Sequence, residues 1–402
     1  MTLLLGRYEL VQKLATGGMA EIFVARQWGD GGFCRPAIVK RLHDHLAEEP
    51  MVLSDFRNEA RLLSTLVHSS IPHIYDFRHD RGCWYLAMEL VHGPTVGELM
   101  REQAGPVPWE VVVSVGLELL EALCYVHERH DDLSGEPLGI VHGDLSPENV
   151  VLGRDGGVKL LDFGIAGDRD HRAQRRSQTG SMRGTNGYMA PEAVDHRQPV
   201  DGRADLFVAG VLLYEMVTGS RLYPGDGVTF VNALLEQRPA PPSDRVATIP
   251  EELDAVLLRL LARDVASRPP SAREAYAELV QIAVDRGVET GPQVVARYAA
   301  QVVPPSRDLH LPPASRPPEL SSQDIPSVRP TAIGEGCDGA LSDEEHRDLV
   351  SDIEDLFSPA AVLRESAGRF AMADASTAPE IGAAGGSEGE TDGFYLFVAD
   401  ED

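Results

Sequence analysis

The feature that most limits how this chain can fold is a change of period about a quarter of the way along it. From Tyr8 to about Leu90, YELVQKLA, EIFVARQW and RPAIVKRL alternate apolar and polar residues and are rich in β-branched or aromatic side chains. That is the pattern of half-buried strands. One stretch breaks it: Ser54–Leu66 reads as a helix, with Phe56, Ala60, Leu63 and Val67 at helical spacing. From Val111 to Ala283 the period is mostly helical, as in VVVSVGLELLEALCYVHERH and ADLFVAGVLLYEMVTG. A small strand-rich lobe ahead of a larger helical one is an α+β arrangement, and the groove between two lobes is a natural ligand site.

Charge narrows the function classes. The 402 residues carry 63 acids against 36 bases, a formal charge of -27. Such a balance argues against non-specific binding to nucleic acid or anionic membranes. The excess is uneven: residues 301–402 hold 21 acids, 6 arginines and no lysine. Only Lys13, Lys40 and Lys159 are lysines, so a lysine in a special place is conspicuous. The four cysteines, Cys34, Cys83, Cys124 and Cys337, form no C-x-x-C pair and are expected to be free thiols. The start, MTLLLGRYEL, lacks the pattern of a signal peptide. The longest apolar stretch, around Val208–Val217, is broken by Tyr214 and Glu215, short of the ~20 residues a membrane span needs. A soluble, cytoplasmic protein is expected.

Composition also divides the chain. Residues 1–91 and 92–284 are the two lobes, the first including the connection between them. Residues 285–302 suit one more amphipathic helix. Residues 303–340 are rich in Pro, Ser and Gly, as linkers are. Residues 341–402 form an acidic tail, within which 342–357 reads as an amphipathic helix. There Ser342 and Glu345 make a capping box, and Leu349, Val350, Ile353, Leu356 and Phe357 share a face. The chain closes with FYLFVA and three acids.

Four segments carry candidate chemistry. In LATGGMAEIFVA (14–25), the small residues Ala15, Gly17, Gly18 and Ala20 let backbone N–H groups approach a phosphate, although Gly-Gly also serves any hairpin turn. Lys40 ends a buried-looking strand, where an unpaired cation is costly, and Glu59 on the candidate helix is a suitable partner. IVHGDLSPENVVL (140–152) sets His142, Asp144 and Asn149 in a short loop; Asp144 can accept a hydroxyl proton, and Asn149 offers an oxygen to a hard cation. VKLLDFG ends on Asp162, and an Asp and an Asn from adjacent loops suit Mg²⁺.

In this order the segments resemble the protein kinase family, specifically bacterial Hanks-type Ser/Thr kinases, over roughly residues 8–284. DFGIA (162–166), RGTNGYMAPE (183–192) and ADLFVAGVLLYEMVTG (204–219) are close matches to its signatures. The resemblance implies a two-lobed kinase-like fold with a mostly disordered tail, ATP and Mg²⁺ (or Mn²⁺) as cofactors, and protein Ser/Thr hydroxyls as acceptors. Leu14, Ile22 and Ala37 would join the Gly-rich loop around the nucleotide. Lys40 would hold phosphates and Glu59 would fix it. Asp144 would be the base, and Asn149 and Asp162 the metal ligands. Met88 would line the back of the adenine pocket, with Glu89 and Val91 offering backbone groups. His142, Phe163, Thr185, Glu192, Asp205 and Arg268 would be structural, with Glu192 pairing with Arg268.

Departures are few. Ala15 and Ala20 stand where the family usually has Gly. Gly143 replaces an Arg that normally pairs with a phosphorylated activation segment, and Ser146 replaces a Lys near the transferred phosphate. In the segment from Asp162 to Glu192, Ser177, Thr179 and Ser181 are candidate autophosphorylation sites beside Arg175, Arg176 and Arg183. A pseudokinase scaffold, or a small-molecule phosphotransferase of the aminoglycoside type, is the rival. The 342–357 helix is a candidate docking segment for a partner or for the basic activation segment.

Overall fold

Strand pattern and strand outcome agree closely in the first lobe of the computed structural model. β1 (Tyr8–Thr16), β2 (Ala20–Trp28), β3 (Cys34–Leu42), β4 (Ile74–Asp80) and β5 (Cys83–Met88) form one antiparallel sheet in the order β1-β2-β3-β5-β4. β5 is buried on both faces, which explains its run of apolar residues without alternation. Trp84 and Leu86 join the main core with Phe56 and Leu63, while Tyr85 and Ala87 join a smaller one with Tyr8, Ala25, Ala37 and Val39. Residues 7–29, 32–80, 82–131, 134–163, 187–195, 200–307 and 311 are described, all within one compact unit. The candidate phosphosites Ser177, Thr179 and Ser181, together with Thr185, nearly all of the linker beyond 307 and the tail with its 342–357 helix, lie outside the described residues.

A short helix α1 (Asp44–Ala47) precedes α2 (Pro50–Thr65). α2 begins a turn earlier than its apolar spacing suggests, because Pro50 supplies a φ suited to a first turn. Leu66 is already extended, and Val67 is 70% exposed rather than on the helix's apolar face.

The second lobe contains α3 (Val96–Gln103), α4 (Trp109–His127), the hairpin β6 (Val150–Leu152) and β7 (Val158–Leu160), then α5 (Pro191–Asp195), α6 (Gly202–Thr218), α7 (Val228–Glu236), α8 (Glu251–Leu260), α9 (Ala272–Arg286) and α10 (Pro292–Val302). α6 is mostly apolar and buried from Ala204 to Thr218, as a central helix must be, with Asp205 and Glu215 the buried carboxylates on it. α4 packs closely at Gly116, where a Cβ would come within 2.8 Å of Leu279 and 3.1 Å of Leu213. No helix of the described residues is long and apolar enough to cross a membrane. Cys34, Cys83 and Cys124 are free thiols, as expected.

The expected single helix over 285–302 is divided. Residues 285 and 286 end α9, and Gly287 closes it at a φ of 62°. α10 then starts afresh with Pro292 in its first turn, and Val294, Val295 and Ala299 bury its inner face.

A buried ion pair ties the late helices to α5. Both Arg268 Nη atoms donate to the Glu192 carboxylate at 2.7 Å, and Nε donates to the Ala262 carbonyl at 2.7 Å. Arg268→Ala leaves that carboxylate buried without its cation, at a cost of about 3–5 kcal/mol. Urea unfolding of the full chain should show this loss. A change below about 1 kcal/mol, the scale of an exposed pair, would mean that Glu192 is solvated.

Candidate functional site

Between the lobes lies a cavity of about 680 Å³. Its upper walls are Leu14, Ala15 and Ile22 from β1 and β2, and Ile38 and Lys40 from β3. Met88 ends β5, and residues 89–95 cross to α3, which adds Glu98, Arg101 and Glu102. Val151, Leu161 and Asp162 line the side belonging to the second lobe. Gly17 and Gly18 form the β1–β2 turn, closed by the Gly17 N–H on the Ala20 carbonyl at 2.8 Å. His43 braces this turn: its N–H donates to the Met19 carbonyl at 3.0 Å, and its Nε2 lies 2.9 Å from the Gly17 oxygen.

Lys40 stands between two carboxylates. Its ammonium donates to Glu59 Oε1 at 2.8 Å and to Asp162 Oδ1 at 3.0 Å. Burial alone would push the Lys40 amine down, but Asp162 and Glu59 outweigh it and hold the amine well above the usual lysine range. Lys40 keeps the Asp162 carboxyl below its ordinary value. Burial pushes Glu59 up, against the pull of Lys40. Asp162 adopts a left-handed φ of 49°, strained for a residue with a Cβ. Behind the cavity, Lys159 donates to both Glu89 carboxylate oxygens at 2.9 Å, and Glu89 accepts from the His73 N–H at 3.1 Å.

The Asp144 loop hangs on Asp205 of α6. This carboxylate, 2% exposed, accepts the N–H groups of His142 at 2.8 Å and Gly143 at 2.9 Å, with His127 Nε2 also at 2.8 Å. Burial opposes its charge, yet His127, His142 and the Gly143 N–H outweigh burial and keep its carboxyl below the ordinary value. His142 is fully buried, which lowers its pKa, and its ring packs 4.5 Å from that of Phe163. Asn149 Nδ2 donates to the Asp144 carbonyl at 2.8 Å and to Asp144 Oδ2 at 3.3 Å. Both contacts use the nitrogen, so the carboxamide oxygen is the end turned away from Asp144. That oxygen and the ionised Asp162 carboxylate are oxygens of the kind that could hold Mg²⁺, with phosphate and water filling the remainder.

Eight of the expected nucleotide-contacting residues line the cavity: Leu14, Ala15, Ile22, Lys40, Met88, Glu89, Val91 and Asp162. Gly17, Gly18 and Ala20 sit at the turn above, and Glu59 stands behind Lys40. Ala37 does not line it. It is fully buried in the small core on the opposite face of the sheet, and Ile38 lines the cavity instead. Strand alternation requires this, since residues 38 and 40 share a face and 37 does not. Val151, Leu161, His43 and His127 were missed, because none carries a motif of its own. Gly143 acquires a further reason: its φ is 70°, a conformation that favours glycine. Ser146 is buried, and its Oγ finds no hydrogen-bond partner among the described residues.

Comparison with known proteins agrees with this geometry. Residues 8–279 match the protein kinase domain family. The chain is 39% identical over 280 residues to the tyrosine-protein kinase MasK of Myxococcus xanthus, covering 69% of this chain and 43% of that one. It is 31% identical over 329 residues to the serine/threonine-protein kinase PknB of Mycolicibacterium smegmatis, covering 81% and 49%. The chain thus spans about half the length of the curated relatives it matches. Among solved structures, the Mycobacterium tuberculosis PknI kinase domain aligns with a TM-score of 0.52 and 25% identity, covering 70% of this chain and 96% of that one.

Gly143→Ala places a Cβ in the left-handed region, which costs about 1–2 kcal/mol. Thermal unfolding of the variant should fall by a few degrees. An unchanged transition would mean that the loop is free to choose another backbone.

Proposed function

We propose that this chain, which belongs to the protein kinase family, is an ATP-dependent Ser/Thr protein kinase. The observation that carries this reading is the Lys40–Glu59–Asp162 cluster at the wall of the cleft, close enough to the Asp144 loop for the Asp144 charge to act on Glu59. ATP supplies the γ-phosphoryl group. Asp162 and Asn149 would hold Mg²⁺, with Mn²⁺ as an alternative, and the ion would neutralise charge on the transferring phosphoryl group.

The chain's own residues do the rest. Lys40 binds the α- and β-phosphate oxygens, and Glu59 keeps its ammonium charged and aimed. The Gly17–Gly18 turn offers backbone N–H groups above the phosphates, next to Ala20. Met88 backs the adenine pocket, Glu89 and Val91 present backbone groups to the base, and Leu14, Ala15, Ile22 and Ile38 cover it. Asp144 accepts the proton of the acceptor hydroxyl, and Asn149 Nδ2 holds that carboxylate in its orientation. His142 and Phe163 brace the loops, and Asp205 fixes the backbone beneath them. Ser146 brings no cation to the site, so turnover is slow: a lost charge stabiliser of this kind is worth about 2.7–4 kcal/mol.

Three finer assignments belong to the same reading. Ser177, Thr179 and Ser181 are autophosphorylated. Segment 342–357 docks a partner or the basic activation segment. The protein works in the cytoplasm. A tyrosine acceptor is the second reading, favoured by the name of the Myxococcus relative.

The test is transfer from labelled ATP–Mg²⁺ by the full chain, with phosphoamino-acid analysis of the product. Asp144→Asn should lower transfer about 10²–10⁴-fold while leaving ADP affinity within twofold. Lys40→Met should abolish transfer. Phosphotyrosine alone would replace the Ser/Thr assignment, and labelling that survives Asp144→Asn would remove Asp144 as base. A wild type that binds nucleotide but never labels itself or a peptide is a pseudokinase.

A further inference from the structure

The segment beyond residue 279 lies outside the family match, yet it reaches the cleft. Val303, just past the end of α10, lines the cavity beside residues 91–95 and the α3 side chains Glu98, Arg101 and Glu102. It is only 6% exposed.

Three contacts hold it there. Arg154 joins it to the connection between the lobes: its N–H donates to the His92 carbonyl at 3.0 Å, and its Nη1 donates to the Val303 carbonyl at 2.8 Å. The Val303 N–H donates to the Ala299 carbonyl at 2.8 Å, which continues the helix to this point. At the other end of α10, the β6–β7 turn fits against its first residue. A Cβ on Gly156 would come within 1.7 Å of the Pro292 carbonyl oxygen, and Gly156 has a φ of 90°. Between these ends Val294, Val295 and Ala299 are buried. The helix is clamped at both termini, and the chain emerging from it is pressed against the cleft.

We propose that α10 and Val303 form a wall of the nucleotide cleft, with Val303 an affinity-setting contact for the nucleoside part of the ligand at the α3 end. The inference rests on the kinase reading of the cleft and adds to it a contact from outside the matched domain. Docking of α10 and occupancy of the cleft then stabilise each other, because coupling between two sites is reciprocal. ADP and AMP feel the wall equally, since they share the nucleoside.

The experiment uses the full chain with Mg²⁺ and either ADP or AMP. Calorimetry gives the affinity, and hydrogen exchange follows the amides of residues 294–303. Saturating ADP should slow exchange there. Arg154→Ala, which removes the clasp, and Val303→Ala, which trims the wall, should each weaken ADP and AMP alike, by about fivefold or more. Val284→Ala, at a solvent-facing position of α9, should leave affinity unchanged. If Arg154→Ala fails to fold, Val303→Ala decides alone. Affinity within twofold of wild type in the folded variants overturns the proposal, whatever the exchange shows. A wild type that binds neither nucleotide overturns the kinase reading of the cleft, and this inference with it.

Discussion

Asp205 carries its charge almost out of reach of water, and the cleft depends on the way that charge is satisfied. Two consecutive backbone N–H groups and the His127 ring converge on one carboxylate. A buried ion is tolerable only when its hydrogen bonds are made in full, so each contact enforces the others. The result is a loop whose backbone direction is set from below, by a helix of the larger lobe. Asn149 then clips back onto Asp144 from the far end of the same loop. The orientation of Asp144 is thus inherited from the core and does not wait for a ligand.

Across the cleft the logic is different. Lys40 on the sheet meets Glu59 from its own lobe and Asp162 from the other. One cation between two anions favours the charged state of the lysine, and it also makes the lobes electrostatically dependent on each other. The hinge is reinforced by a second pair, Lys159 with Glu89, which ties the connection between the lobes to β7. Opening the cleft therefore costs electrostatic contacts on its floor as well as apolar contacts along its walls.

Residues proposed for the chemistry were readable because chemistry needs particular side chains at particular spacings: Lys40 meets Glu59 and Asp162 at the cavity, and Asn149 holds Asp144 on the neighbouring loop. Residues that merely line the cleft were not, since one aliphatic side chain resembles another. Ala37 and Ile38 make the point. Both are apolar neighbours on one strand, and only the pleat decides which of them faces the cavity. The start of the helix expected over 285–302 was misplaced for a similar reason, as an apolar stripe can run through a break that Gly287, Gly291 and Pro292 impose on the backbone, and the helix itself begins at Pro292. Gly143 could be seen as a missing arginine, but its left-handed backbone could not. His127 and Val303 were invisible because their roles come from tertiary neighbours far away in the chain.

The scarcity of lysine has a practical side. Each of the three lysines is met by a carboxylate: Lys13 by Glu21, Lys40 by Glu59 and Asp162, and Lys159 by Glu89. Amine-reactive reagents attack the unprotonated amine, and an ion pair withholds it. Acylation at Lys40, whose amine its two carboxylates hold in the charged form, is therefore governed by how often those ion pairs open. With so few targets, the rate at Lys40 becomes a direct clock for the parting of that residue from its two carboxylates.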